Sequence, residues 1–69
     1  MPKLYSSRHI VTVLMKNGFY FVSQKGSHAK YRKDLPTRTV IVPMAHKEIP
    51  IGTFRSVLRQ SGLSDADFK

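Results

Sequence analysis

Cysteine is absent from this 69-residue sequence, and acidic residues are scarce, with four against twelve lysines and arginines. Without cysteine, neither disulfides nor a thiolate zinc site can stabilise so small a chain, so packed helices and strands must do so alone. The absence of cysteine also fits a reducing compartment. No apolar stretch is long enough to span a membrane, and no signal-peptide pattern is visible. We expect one domain over residues 1–69, soluble and cytoplasmic, with no membrane partner.

The few acidic residues are dispersed along the chain, at Asp34, Glu48, Asp65 and Asp67. Two-metal nucleases need clustered carboxylates, and nothing of the kind occurs here. The three histidines fall on different predicted elements and show no metal-ligand spacing, and no glycine-rich phosphate loop is present. We therefore expect neither a metal ion nor another cofactor.

Positive charge dominates the chain and is concentrated in its first half. The formal net charge is +8, and residues 1–33 carry seven lysines or arginines and no acid. Such a charge attracts polyanions through phosphate neutralisation and counterion release. Nucleic acid, an acidic membrane surface and an acidic protein all suit such a charge on electrostatic grounds; nucleic acid fits best, and we expect no membrane partner.

Hydrophobic spacing predicts a first helix over residues 7–17, capped by Ser6 or Ser7 and stopped by Gly18. Aromatic and β-branched residues then predict three strands, at residues 19–22, 28–32 and 39–42. We expect the first hairpin to turn at Lys25-Gly26 and the second at residues 34–37.

A second helix is predicted to begin at a Thr53 cap and to end at Gly62, after which Ser64 caps a short last turn through Phe68. Phe54 and Val57 mark its apolar face. Helices on one side of a three-stranded antiparallel sheet make an α+β two-layer sandwich.

His28 follows the predicted hairpin turn, where a side chain is exposed and rigidly held. Strand alternation places His28, Lys30 and Arg32 on one sheet face, and Ala29 and Tyr31 on the other. RNA carries its own nucleophile, the 2′-hydroxyl, so its cleavage needs proton transfer and cations around the phosphate. Imidazole transfers protons near neutral pH. Taken alone, a single histidine on a half-exposed strand is more typical of an ordinary surface position, with metal-free RNA cleavage as the competing interpretation.

The pairing of the first two strands has two interpretations. A strict two-residue turn at Lys25-Gly26 pairs Ser23 with His28 and puts Phe19 and Phe21 on the basic face, as stacking platforms for bases. A longer loop or a bulge reverses the faces. A core position is more typical of Phe19, which directly follows a helix stop.

Other basic side chains are ambiguous. His9, in the first helix, is either internally satisfied or solvent-facing, and we assign it no role. His46, in the loop after the third strand, is a second proton donor, a phosphate contact or plain surface. Arg55 and Arg59 form a stripe on the second helix that is a solvated face, an extension of an RNA track or a contact for an acidic partner.

The sequence resembles the HicA toxin family over nearly its whole length and in the right order. The segments that carry the resemblance are Lys16-Asn17-Gly18-Phe19, Gln24-Lys25-Gly26-Ser27-His28, Thr39-Val40-Ile41-Val42-Pro43 and residues 52–63, which begin with Gly52-Thr53. The Gly-Ser-His run and the Gly-Thr start of the second helix are the most specific of these. The resemblance implies a fold like the double-stranded-RNA-binding domain and the activity of an mRNA interferase in a type II toxin–antitoxin system.

The same resemblance makes His28 the catalytic residue and a HicB-type antitoxin the partner that masks the site. We predict that mRNA is bound around His28 by four neighbours: Lys25, Ser27, Lys30 and Arg32. Family members usually carry a histidine two residues after the proline that ends the third strand, whereas His46 stands three after Pro43. The second proton-transfer residue therefore stays unassigned, and a non-catalytic RNA-binding module or an adaptor for an acidic protein remains an alternative.

Overall fold

The computed structural model of the protein describes residues 3–69. In chain order its elements are helix α1 (Ser7–Lys16), strands β1 (Tyr20–Lys25), β2 (His28–Asp34) and β3 (Thr37–Pro43), helix α2 (Ile51–Ser61) and a final 3₁₀ turn (Asp65–Phe68). The strands form one antiparallel sheet in the order β1-β2-β3. This confirms the predicted α+β fold, in which a helix, a three-stranded sheet and a helix follow one another as in double-stranded-RNA-binding domains.

Helix α1 begins and ends where its sequence signals predict. Ser6 is the N-cap, and its side-chain oxygen accepts the backbone N–H of His9 at 3.0 Å. After Lys16 the chain passes Asn17 and reaches Gly18, whose φ of +91° lies in the left-handed region that glycine adopts without strain. Ser6 thus sets where the helix begins, and Gly18 sets where the chain leaves it for the sheet.

The hydrophobic core lies between one face of the sheet and the helices. Its most deeply buried side chains come from both helices, two strands, the loop before α2 and the final turn: Ile10, Leu14, Ala29, Val40, Val42, Ile49, Val57 and Phe68. Both helices pack over β3. Strand β1 is left at the margin of the sheet, and all of its residues are exposed.

The first hairpin turns one residue later than predicted. Its loop is Gly26 and Ser27, with Lys25 paired to His28, so the interpretation that pairs Ser23 with His28 is wrong. Gly26 adopts a φ of +58°. A glycine of positive φ at the first of two loop positions is what a type II′ hairpin turn needs, and this turn suits the twist of the strands. The three strands are longer than the sequence pattern indicates.

The predicted Thr53 cap of the second helix is wrong. Helix α2 starts at Ile51, and Pro50 is its N-cap with φ −54° and ψ 145°. The carbonyl of Pro50 already accepts the N–H of Phe54 at 3.0 Å. Proline fixes φ, so the chain enters the helix here without a polar cap. The predicted end is confirmed, because Gly62 is a left-handed C-cap, and Ser64 caps the final turn as expected.

Replacing the glycine at either end of helix α2 by alanine should change the stability of the fold in opposite directions. Gly62 has φ +74°, and an added Cβ would approach the flexible end of Arg38, so Gly62→Ala should destabilise the fold by about 1–2 kcal/mol, mainly through backbone strain. Gly52 has open space around it and no positive φ, so Gly52→Ala should stabilise by about 0.5 kcal/mol through helix propensity. Urea unfolding measures both changes, and equal shifts in the same direction would contradict the assignment.

Candidate functional site

His28 is the first residue of the central strand and is held from both sides. It pairs with Lys25 of β1 and with Pro43 of β3. Its side chain is exposed to solvent. The backbone of His28 is therefore held by strands on both sides, and its side chain is open to a ligand.

The alternation predicted for β2 is confirmed. His28, Lys30 and Arg32 are exposed, whereas Ala29 and Tyr31 between them are buried against the helices. At about 3.4 Å per residue, the exposed row extends over about 14 Å from His28 to Arg32. We call this surface the open face, defined by Tyr20, Ser23 and Lys25 of β1, His28, Lys30 and Arg32 of β2, and Thr39 and Ile41 of β3.

A β-bulge in β1 decides which aromatic ring reaches the open face. Ser23 pairs with Lys30 and Phe21 with Tyr31, so Val22 between them has no partner in the register. The ring of Phe21 therefore lies on the helix side of the sheet, edge-on to Tyr31 at a centroid distance of 5.7 Å. The interpretation that places Phe19 and Phe21 on the basic face is wrong, because Phe19 is core, 3% exposed, and the bulge reverses the register at Phe21.

Tyr20 occupies the open face instead. It pairs with Arg32, and its hydroxyl donates a hydrogen bond to Oδ1 of Asp34 at 2.9 Å. The sequence interpretation missed Tyr20, because strand alternation counts residues and does not reveal where a bulge inserts one. The cluster of Tyr20, Arg32 and Asp34 lies at the opposite end of the row from His28.

The loop after β3 is fastened next to the hairpin. The backbone N–H of Met44 donates to the carbonyl of Ser27 at 2.6 Å. Ser7, 2% exposed, donates from its hydroxyl to the carbonyl of Pro43 and accepts the N–H of His46 at 3.1 Å. Ser7, which the sequence offers only as an alternative cap of α1, therefore attaches this loop to the helix. Its position in the sequence does not indicate this role.

The other two histidines differ in their surroundings. His9 stacks on Tyr5 at a centroid distance of 4.8 Å, and its ring Nε2 is hydrogen-bonded to the carbonyl of Phe68, so it is internally satisfied. His46 is an exposed loop residue. Across residues 3–69, no hydrogen bond joins its ring to His28.

The charges on the open face are unequally paired. Within the described part of the chain, the only ion pair joins Nε of Arg32 to Asp34, at 4.0 Å. Lys25 and Lys30 have no such carboxylate beside them. The end of the open face that carries His28 is therefore purely cationic, whereas the Tyr20 end is close to neutral.

The hydrogen bond to Asp34 also affects the titration of Tyr20. That bond first, and then partial desolvation and the negative charge of Asp34, raise the pKa of the phenol above its ordinary value of 10.0, against the opposing influence of Arg32. The phenol of Tyr20 is therefore a neutral hydrogen-bond donor throughout the physiological range.

No group of three or more histidine, cysteine or carboxylate side chains among residues 3–69 is placed to hold a metal ion. In the same part of the chain, no helix has the length and apolar character needed to cross a membrane.

A basic α+β fold with one uncovered, cation-bearing sheet face has the charge that suits a polyanionic ligand. The chain matches the HicA toxin family of bacterial toxin–antitoxin systems over residues 7–63. Because this match covers most of the chain, the protein belongs to the HicA toxin family. An antitoxin partner follows from membership in a toxin–antitoxin family. No curated protein matches the sequence.

Removing the carboxylate should lower the pKa of Tyr20. We expect the phenol to titrate at a lower pH in Asp34→Ala than in the wild type, because both the hydrogen bond and the charge that raise its pKa are lost. Ring-carbon NMR of labelled tyrosine resolves this residue from Tyr5 and Tyr31. Asp65→Ala, the same change of charge in the final turn, should leave the titration unchanged, and an equal fall there would exclude the contact as its cause.

Proposed function

We propose that the protein is the toxin of a type II toxin–antitoxin system and an endoribonuclease that cleaves mRNA, with His28 as general acid or base. The observation that supports this most directly is the position of His28. Its exposed imidazole stands beside the hairpin turn, opposite Lys25. Lys30 lies two residues further along the same strand and faces the same way. A proton-transfer group among unpaired cations is what phosphodiester cleavage requires.

In the proposed reaction the nucleophile comes from the substrate. A base removes the proton of the 2′-hydroxyl, and the resulting oxygen attacks the adjacent phosphorus. The bond from phosphorus to the 5′ oxygen breaks, and that oxygen takes up a proton, which leaves a 2′,3′-cyclic phosphate and a 5′-hydroxyl. His28 performs one of the two proton transfers, and its partner in the other is unassigned. The protein has to supply only proton transfer and positive charge, and because imidazole, lysine and arginine side chains can supply both, the proposed reaction requires no metal ion or other cofactor.

Four neighbours of His28 would bind the RNA. Lys25 and Lys30 would neutralise the phosphates on either side of the cleaved linkage, because no carboxylate competes for them. Arg32 continues the cationic row along β2, and the Ser27 hydroxyl lies in the turn beside His28. Developing charge on the phosphate oxygens is stabilised by such preorganised donors.

The proposed antitoxin is of the HicB type and acts by covering the open face. A protein that neutralises this surface must offer acidic groups to Lys25 and Lys30 and must exclude RNA from His28. An acidic surface that binds the open face would both neutralise the lysines and keep RNA away from His28. We further propose that residues 1–69 act as a single toxin domain in the cytoplasm, where its mRNA substrate is found.

Replacing His28 tests the catalytic role. His28→Ala should lower RNA cleavage by at least about a hundredfold and abolish growth arrest on expression, because general acid–base catalysis contributes about 10²- to 10⁴-fold. The fold should persist within about 0.5 kcal/mol, since the side chain is exposed. Cleavage of labelled RNA in EDTA, with unfolding curves of each variant, gives both values.

Lys16→Ala is the control for His28→Ala, because it removes a positive charge from α1, in the helical layer. It should cleave like the wild type. Full cleavage by folded His28→Ala protein would overturn the catalytic assignment. Salt-sensitive binding that leaves RNA intact, for the wild type as well, would instead favour the non-catalytic RNA-binding module.

A further inference from the structure

The bulge at Val22 gives the open face an aromatic ring that the catalytic proposal does not use. Tyr20 is 43% exposed and stands beside Arg32, about 14 Å along the sheet from the position of His28. Phe21, the next residue, is 52% exposed but lies on the other face of the sheet. The chain therefore presents two neighbouring aromatic rings in opposite directions, and only Tyr20 shares a surface with His28.

The ring of Tyr20 is held in place from its tip. Its hydroxyl donates to Asp34, and Asp34 in turn lies 4.0 Å from the guanidinium of Arg32. The charge of Asp34 is thus offset by Arg32, so this end of the face does not repel a nucleic acid. A fixed ring loses little conformational freedom when a flat ligand covers it, which favours stacking.

The two ends of the open face suit different parts of one ligand. Lys25 and Lys30 attract phosphates, whereas an exposed ring beside a guanidinium stacks on a nucleobase. A base can stack in this way only when it is unpaired, because a duplex buries the base faces in its own stack. Sheets of similar size in RNA-recognition domains accommodate about two or three stacked bases.

We propose that Tyr20, assisted by Arg32, is a base-stacking site for an unpaired nucleotide about 14 Å along the sheet from the cleaved linkage, and that it selects single-stranded over duplex RNA. This inference rests on the proposed function, since it places the cleaved linkage at His28. It assigns to Tyr20 the positioning of substrate and no part in proton transfer.

The experiment uses the His28→Ala protein, so that RNA stays intact during binding. Fluorescence anisotropy with a short labelled single-stranded RNA is expected to show about tenfold weaker binding when Tyr20→Ala is added, the loss of one stacked base. Tyr20→Phe and Tyr20→Trp keep a ring and should bind within about threefold of the parent. Affinity for a duplex of the same sequence should not change with any of the three.

Phe21→Ala is the matched control, because it removes a neighbouring ring that is also exposed but lies on the opposite face. It should bind RNA like the parent protein. The salt dependence of binding should also be the same with and without Tyr20→Ala, because stacking contacts no phosphate. Lys30→Ala, by contrast, should make the plot of log affinity against log salt concentration less steep by about one, the change expected for the loss of one phosphate contact.

Several results would overturn the stacking site: unchanged affinity of Tyr20→Ala, an equal loss in Phe21→Ala, or a loss in Tyr20→Phe as large as in Tyr20→Ala. Loss of antitoxin binding with RNA binding intact would make Tyr20 a protein contact and would equally overturn it. The stacking site and the nuclease fail separately. Tyr20-dependent binding by a wild-type protein that cleaves no RNA supports the site and overturns the nuclease, whereas cleavage with Tyr20-independent binding does the reverse.

Discussion

One-sided burial of the central strand is the constraint on which the site depends. Ala29 and Tyr31 must face the helices to complete the core, and this obliges His28, Lys30 and Arg32 to face the other way. Because side chains alternate along a strand, a slip of one residue would bury all three of these side chains and expose the core. The hydrophobic effect thus orients residues that take no part in the core.

The hairpin turn sets the position of His28 at the start of this strand. Gly26 supplies the positive φ that lets β1 and β2 meet in a two-residue loop, which sets Lys25 opposite His28. The carbonyl of Ser27 then binds the loop after β3 through Met44. Backbone contacts from both sides therefore hold the main chain that carries the imidazole.

The sequence predicted the faces of β2 because alternation needs no knowledge of the partner strand. It predicted the helix ends at Gly18 and Gly62 because a left-handed residue is a local requirement. The face presented by β1 could not be predicted, since the bulge at Val22 is a property of two paired strands. The start of α2 was misplaced because a proline N-cap leaves no polar side-chain signal, and the contacts of Ser7 with the loop after β3 join residues far apart in the chain.

The two ends of the open face differ in charge, with unpaired cations and an imidazole at one end and a neutral aromatic cluster at the other. The central claim is that RNA supplies the nucleophile and that His28 moves one of the protons. Its most direct test is to replace the cleaved nucleotide of an RNA oligonucleotide, once mapped, by its 2′-deoxy form. We predict that the wild-type protein binds both oligonucleotides equally and cleaves only the all-ribose one. Cleavage of the deoxy-substituted linkage at a similar rate would contradict it.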